Sequence, residues 1–191
     1  MLRILERSDI RLRFLIALVL LLADVEAAAQ VVPMQAAPTN AALQALPSTQ
    51  YSSVIRLGFF SAGDGGHATY VSSGSVCSLN GGNGDSGSQV RSADGKCWIA
   101  DFGAGPPSVK VFGAVGDGVT SDVAPLLNCL AFSAARHAAC RVPAGASLAV
   151  DDITMPSGAV LIGDGIQSST VRRIASSEVR SGMLHCSGCS N

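Results

Sequence analysis

Charge is scarce in this 191-residue chain: 14% of its residues are Asp, Glu, Lys or Arg, against about 25% in an average soluble protein. Acids and bases nearly cancel, 14 against 13, and only two of the cations, Lys96 and Lys110, are lysines. Such a surface cannot neutralise a phosphate backbone, which excludes nucleic acid as a partner. Aromatic residues make up 5%. With 21 glycines and 8 prolines, the composition favours turns and short strands and excludes a helical bundle. A membrane-spanning helix needs about 20 apolar residues, and the longest apolar run, Phe14 to Ala23, falls well short of that.

That short run has a meaning of its own. Arg3, Arg7, Arg11 and Arg13 precede it, Asp24 and Glu26 end it, and Ala27-x-Ala29 follows. This order is that of a secretory leader, so residues 1–29 are expected to be removed, leaving Gln30 as the mature N-terminus. The expected compartment is secreted or periplasmic, with no stable membrane insertion once the leader is gone. Six cysteines remain beyond it: Cys77, Cys97, Cys129, Cys140, Cys186 and Cys189. In an oxidising compartment an even number reads as disulfides, and six permit 15 pairings. Sequence proximity suggests Cys77–Cys97, Cys129–Cys140 and Cys186–Cys189. The last pair also spells Cys-x-x-Cys beside His185, but neither a thioredoxin-like context nor a fourth zinc ligand is visible. No metal and no cofactor is expected.

Residues 30–50 carry no charge and are rich in Ala, Pro, Gln and Thr; they read as a linker with one possible short helical turn capped at Asn40 and stopped by Pro47. Residues 51–105 read as a small β module, with strands at Val54–Phe60, Ala68–Val71, Gln89–Arg91 and Cys97–Phe102 between glycine-rich turns. Its segment Asn80–Gly87 resembles neither a calcium-binding repeat, because Asp85 comes one place early and the motif does not recur, nor a P-loop. Beyond it, Val109–Ala114 reads as a strand and Gly116-Asp117-Gly118 as a turn. Ser121 or Thr120 can cap a helix whose apolar positions are Val123, Leu126, Leu127, Leu130, Ala131 and Ala134. That helix must end near His137 and turn back at Arg141, which brings Cys129 and Cys140 close together. Short strands follow at 140–142, 147–150, 160–162 and 170–174. Stacked coils or an ordinary antiparallel sandwich would both suit them.

The run Val109-Lys110-Val111-Phe112-Gly113-Ala114-Val115-Gly116-Asp117-Gly118-Val119-Thr120-Ser121-Asp122, then the helix, Arg141-Val142-Pro143-Ala144-Gly145, Met155-Pro156-Ser157-Gly158 and Leu161-Ile162-Gly163-Asp164-Gly165, resembles the opening of the rhamnogalacturonase/epimerase-like pectate lyase superfamily. The resemblance implies an all-β fold: the start of a single-stranded right-handed parallel β-helix, capped by the α-helix, in residues 106–191. Leu57–Tyr70 and Ser92–Trp98 look like the small module that precedes such β-helices in bacterial and phage-tailspike proteins. One departure is that Ser121 stands where the family pattern usually has the first of two acids. Family members also run to many coils, so the chain is expected to be the N-terminal, truncated part of such a design.

Chemistry is harder to find. Glycoside hydrolysis requires two positioned carboxyl groups, and elimination from a uronate requires a base beside a cation. Asp151-Asp152 is the only adjacent acid pair and reads as a solvated turn. Asp117 and Asp164, each between glycines, read as turn residues that bond their own backbone. His67, His137 and His185 fall on different elements with no carboxylate at a useful spacing, and Tyr70 and Trp98 are either core residues or exposed sugar contacts. No catalytic residue is nominated. The resemblance implies a secreted carbohydrate-active protein lacking its catalytic coils; the alternative is a non-catalytic polysaccharide-binding or tailspike-like module.

Overall fold

A computed structural model describes residues 34–174 and 184–186. The first layer is a five-stranded sheet in the order β1-β2-β3-β5-β4, built from β1 (Gln35–Ala37), β2 (Ser53–Arg56), β3 (Ala68–Ser72), β4 (Gln89–Arg91) and β5 (Cys97–Asp101). Only the β1–β2 pair is parallel. Alternation places Val54, Tyr70, Val90 and Trp98 on one face, where all four are fully buried. Tyr70 and Trp98 are thus core residues, which removes the sugar-contact reading of both.

Part of the expected linker is folded. Gln35–Ala37 joins the sheet, and helix α1 (Asn40–Gln44) follows, starting one residue earlier than a cap at Asn40 would give because Thr39 is its cap: Thr39 Oγ1 accepts from Ala42 N at 3.1 Å. Leu43 fills the core against Val54 and Tyr70.

The second layer is parallel. After β6 (Asp117–Ser121) and helix α2 (Val123–Arg136) come β7 (Ala139–Val142), β8 (Ser147–Val150) and β9 (Ile153–Met155), then β10 (Val160–Gly163), β11 (Thr170–Arg173) and β12 (Leu184–Cys186). β7 pairs with β10, β8 with β11 and β9 with β12, all parallel, placing Cys140 opposite Leu161, Leu148 opposite Val171 and Ile153 opposite Leu184. Three successive strands therefore meet their three successors in the same order, one turn of chain over the next. β6 lies on the other side of β8. Leu126 and Leu130 of α2 pack with Val142, Leu148, Val150 and Ile153 into one apolar core.

Three local expectations need correction. Val109–Phe112 is a 3-10 turn, not a strand; Val109, Val111 and Phe112 are all buried, Ser108 Oγ caps the turn by accepting from Lys110 N at 3.2 Å, and left-handed Gly113 (φ 99°) ends it. Asp117 begins a strand instead of standing in a turn: its carboxylate accepts from Val119 N (2.8 Å) and Thr120 N (2.7 Å), bulging β6 against β8. Asp122, not Ser121, holds the cap position of α2 and makes no side-chain cap bond there. Its fully buried carboxylate accepts instead from Val115 N (2.7 Å), Gly116 N (3.2 Å) and Ala149 N (3.2 Å), tying the loop before β6 to β8.

The buried stripe of α2 is Leu126, Cys129, Leu130 and Ser133, rotated from the expected one, so Leu127 and Ala131 face outward. Ser133 Oγ accepts from Val160 N at 2.8 Å, fastening the helix to β10. His137 ends the helix in the left-handed region (φ 52°). Cys129 and Cys140 are joined, with Cα atoms 5.7 Å apart, as are Cys77 and Cys97, at 4.8 Å. The Cys186–Cys189 pairing lies outside the described residues, as does the leader.

Candidate functional site

Three places gather chemically competent side chains. The first lies where the sheet meets the coils. Arg56, at the end of β2, is completely buried and has no carboxylate among its hydrogen-bond partners. Its guanidinium donates to Gly66 O (3.0 Å), Asn40 Oδ1 (2.6 Å), Ser86 O (3.0 Å) and Val111 O (2.6 Å). The rings of Phe59 and Tyr70 each lie 5.1 Å from Cζ, a cation–π arrangement. Burial pushes the Arg56 pKa down, and Tyr70, Asp64 and Asp85 pull it back up. Burial likewise raises the Tyr70 phenol, whose hydroxyl donates to Gly87 O at 2.8 Å. A Cβ on Gly87 would lie 2.1 Å from the Phe112 ring, so only glycine allows this approach. The cluster is a fastener: saturated with internal partners, it offers nothing to a ligand.

The second place is a cavity of about 280 Å³ beside it, lined by His67, Thr69, Asp101, Phe102, Pro107 and Arg141 among others. The sequence separates His67 from any useful carboxylate, yet the fold sets it in one cavity with Asp101 and a cation. Asp101 Oδ1 is engaged by Gly103 N at 2.9 Å. Arg141 Nη1 is 3.6 Å from Asp164 Oδ2, while Arg141 Nε is buried without an acceptor. The Asp164 carboxylate also accepts from Ala144 N at 3.1 Å, so it links the turn after β7 to the turn after β10, while Asp164 N donates to Ser169 Oγ within its own loop at 2.9 Å.

The third is on the flank of the coils. Arg173 of β11 lies 3.9 Å from Asp151 and 3.4 Å from Asp152, and Nε2 of His185, on β12, is 3.9 Å from Asp152 Oδ1. Parallel stacking creates this group: the acid pair sits between β8 and β9, whose partners are β11 and β12. The expectation that His185 lacks a carboxylate is therefore corrected, and the acid pair is an ion-paired turn, not simply a solvated one. One guanidinium thus engages both carboxylates. Side chains in this group are 25–43% exposed, accessible to a ligand at the surface. Among the described residues no cluster of three or more His, Cys, Asp or Glu could hold a metal ion.

No family model and no curated protein matches the sequence. Solved structures do. The enzymatically active domain of tailspike protein 2 from bacteriophage CBA120 matches with a TM-score of 0.56 at 18% identity, over 78% of this chain and 20% of that one. The tailspike protein of Acinetobacter phage vB_ApiP_P1 matches at 0.55 and 17%, over 73% and 24%. WceF of Pantoea stewartii, a glycan biofilm modifying enzyme with a tailspike-like parallel β-helix fold, matches at 0.50 and 17%, over 70% and 22%. At these identities the likeness is one of fold, and the chain spans about a fifth to a quarter of each neighbour's length.

Proposed function

We propose that this chain is the opening portion of a secreted, polysaccharide-engaging protein of the parallel β-helix class. In this reading residues 1–29 are a cleaved leader, the sheet is a head module, and α2 caps the first coils of a right-handed β-helix. The observation that carries the reading is the ordered parallel pairing of β7, β8 and β9 with β10, β11 and β12, which gives a solenoid a flank on which a long polymer can lie. The two disulfides suit export. Among the described helices none is long and apolar enough to cross a membrane.

The rhamnogalacturonase/epimerase-like assignment is the finer form of the proposal and rests on the motifs from Val109 to Ile174. A second reading, a non-catalytic binding or tailspike-like structural module, is favoured by the single Arg173 that engages both members of the acid pair. Affinity electrophoresis of the purified chain through gels containing polygalacturonate, rhamnogalacturonan, alginate or a neutral glucan tests the shared claim, with product assays run in parallel. The expected outcome is retardation by at least one polymer, with no new reducing ends and no unsaturated products. Free migration in every gel overturns polysaccharide engagement. Product formation abolished by Asp151→Ala with Asp152→Ala would make the acid pair catalytic.

A further inference from the structure

A groove of about 260 Å³ runs between the loop before β4 and the outer face of α2. Its helical wall is Asn128, Ala131, Phe132, Ala135 and Arg136, the i, i+3, i+4, i+7, i+8 stripe of one face. The two alanines keep this wall open, and Phe132 with Ile99 supplies apolar surface. Across from them stand Asn80, Asp85, Ser88 and Gln89.

The loop wall is built to stay in place. The Cys77–Cys97 disulfide closes it. Gln89 Oε1 accepts from Ser78 N (2.8 Å) and Leu79 N (3.1 Å), and the Asp85 carboxylate accepts from Gly87 N (3.0 Å), Gln89 N (2.8 Å) and Ser88 Oγ (2.6 Å). Asn128 Nδ2 donates to Asp85 O at 3.1 Å, joining one wall to the other. Among the described residues, Asn80 Oδ1, Asn128 Oδ1 and the Arg136 guanidinium make no hydrogen bond or ion pair, leaving acceptors and donors at the groove.

The Asp85 carboxylate is satisfied within its own loop, so the groove offers a ligand amide oxygens as acceptors and the Arg136 guanidinium as a donor. Amide groups beside a phenyl ring match a ligand with hydroxyls on its rim and C–H bonds on its face. Ligand cavities span about 300–1,000 Å³ for drug-sized molecules, so this smaller groove suits a single ring. We propose that it is a subsite for one pyranose unit of the polysaccharide; the inference rests on the polysaccharide reading above and assigns it a place on the molecule.

The test is a titration of the full chain, followed by saturation-transfer NMR, with the methyl glycosides of glucose, galactose and mannose and with methyl galacturonoside. At least one of these glycosides is expected to bind in the millimolar range. Ala131→Phe, which fills the groove, should weaken binding at least tenfold, and Asn128→Ala about fivefold. Val119→Ser, on exposed β6, should leave binding unchanged. Should Ala131→Phe fail to fold, Ala135→Leu fills the same groove. Equal binding by the groove variants and the wild type overturns the proposal. If no glycoside binds while polysaccharide gels still retard the chain, the groove is not the site and the broader reading stands. If neither occurs, both fall.

Discussion

The antiparallel half of the molecule closes on a cation, and the stacked half closes on hydrocarbon. In the sheet, Arg56 lies at the centre of four hydrogen bonds, and the loops around it are shaped by carboxylates. Asp64 accepts from Phe59, Phe60, Ser61 and Gly66 N–H groups, and Asp94 gathers Ser48, Thr49 and Ser92. In the coils, Leu126, Leu130, Leu148, Val150 and Ile153 make an apolar seam with one buried carboxylate, Asp122. The contrast follows from loop length. Long glycine-rich loops carry many backbone N–H groups that need acceptors, whereas close-stacked strands satisfy theirs in the ladder.

The largest way to break this comparison is Arg56→Ala. Removing the guanidinium leaves Gly66, Ser86 and Val111 carbonyls without their donor in a closed core. The expected loss is about 4 kcal/mol or more, read by urea denaturation. Because Val111 belongs to the turn under the coils, both halves should loosen together. Next comes Asp122→Ala, which strands the N–H groups of Val115, Gly116 and Ala149. It should cost about 3 kcal/mol, with faster hydrogen exchange confined first to the coils.

Replacing Cys129 and Cys140 together by Ala opens a closed loop with a sequence separation of 11 and should cost about 2–3 kcal/mol. The smallest effect sharpens the contrast by pH. Burial alone would raise the Asp64 carboxyl, but N–H groups of Ser61, Gly66, Phe59 and Phe60 outweigh it and hold the pKa below the usual carboxylate range. A folded pKa below the unfolded value of about 3.9 means stability that is complete above that pH and lost as pH falls further. The melting temperature should therefore drop as pH is lowered from about 4 to about 2, and Asp64→Asn should drop less. Asp94 and Asp117 are depressed by hydrogen bonds in the same direction, so part of the acid sensitivity survives that substitution.

Sheet strands such as Ala68–Ser72 and Gln89–Arg91 were legible because alternation and turn residues act within a few positions. So were β7, β8, β10 and β11 as strands. Their partners were not, since a run like Val160–Gly163 suits a hairpin as well as a coil, and only long-range register decides. Val109–Phe112 misled because alternating valines look the same whether they pair in a ladder or curl into a buried turn. The acid pair was visible, but Arg173 and His185 reach it only through stacking. The groove on α2 escaped notice because its residues are small or amide-bearing and come from segments far apart in sequence.

Coil stacking itself is tested most directly by paired cysteines at Arg141 and Ile162, which lie opposite each other in the β7–β10 pair. Neighbouring strands are about 4.8 Å apart, within disulfide range. Mild oxidation should give a cross-linked peptide joining positions 141 and 162 by mass spectrometry, and none between 162 and 171 in the Ile162→Cys, Val171→Cys variant. A 162–171 bond with no 141–162 bond would mean that β10 and β11 form a hairpin, and would contradict the stacked architecture on which the functional account stands.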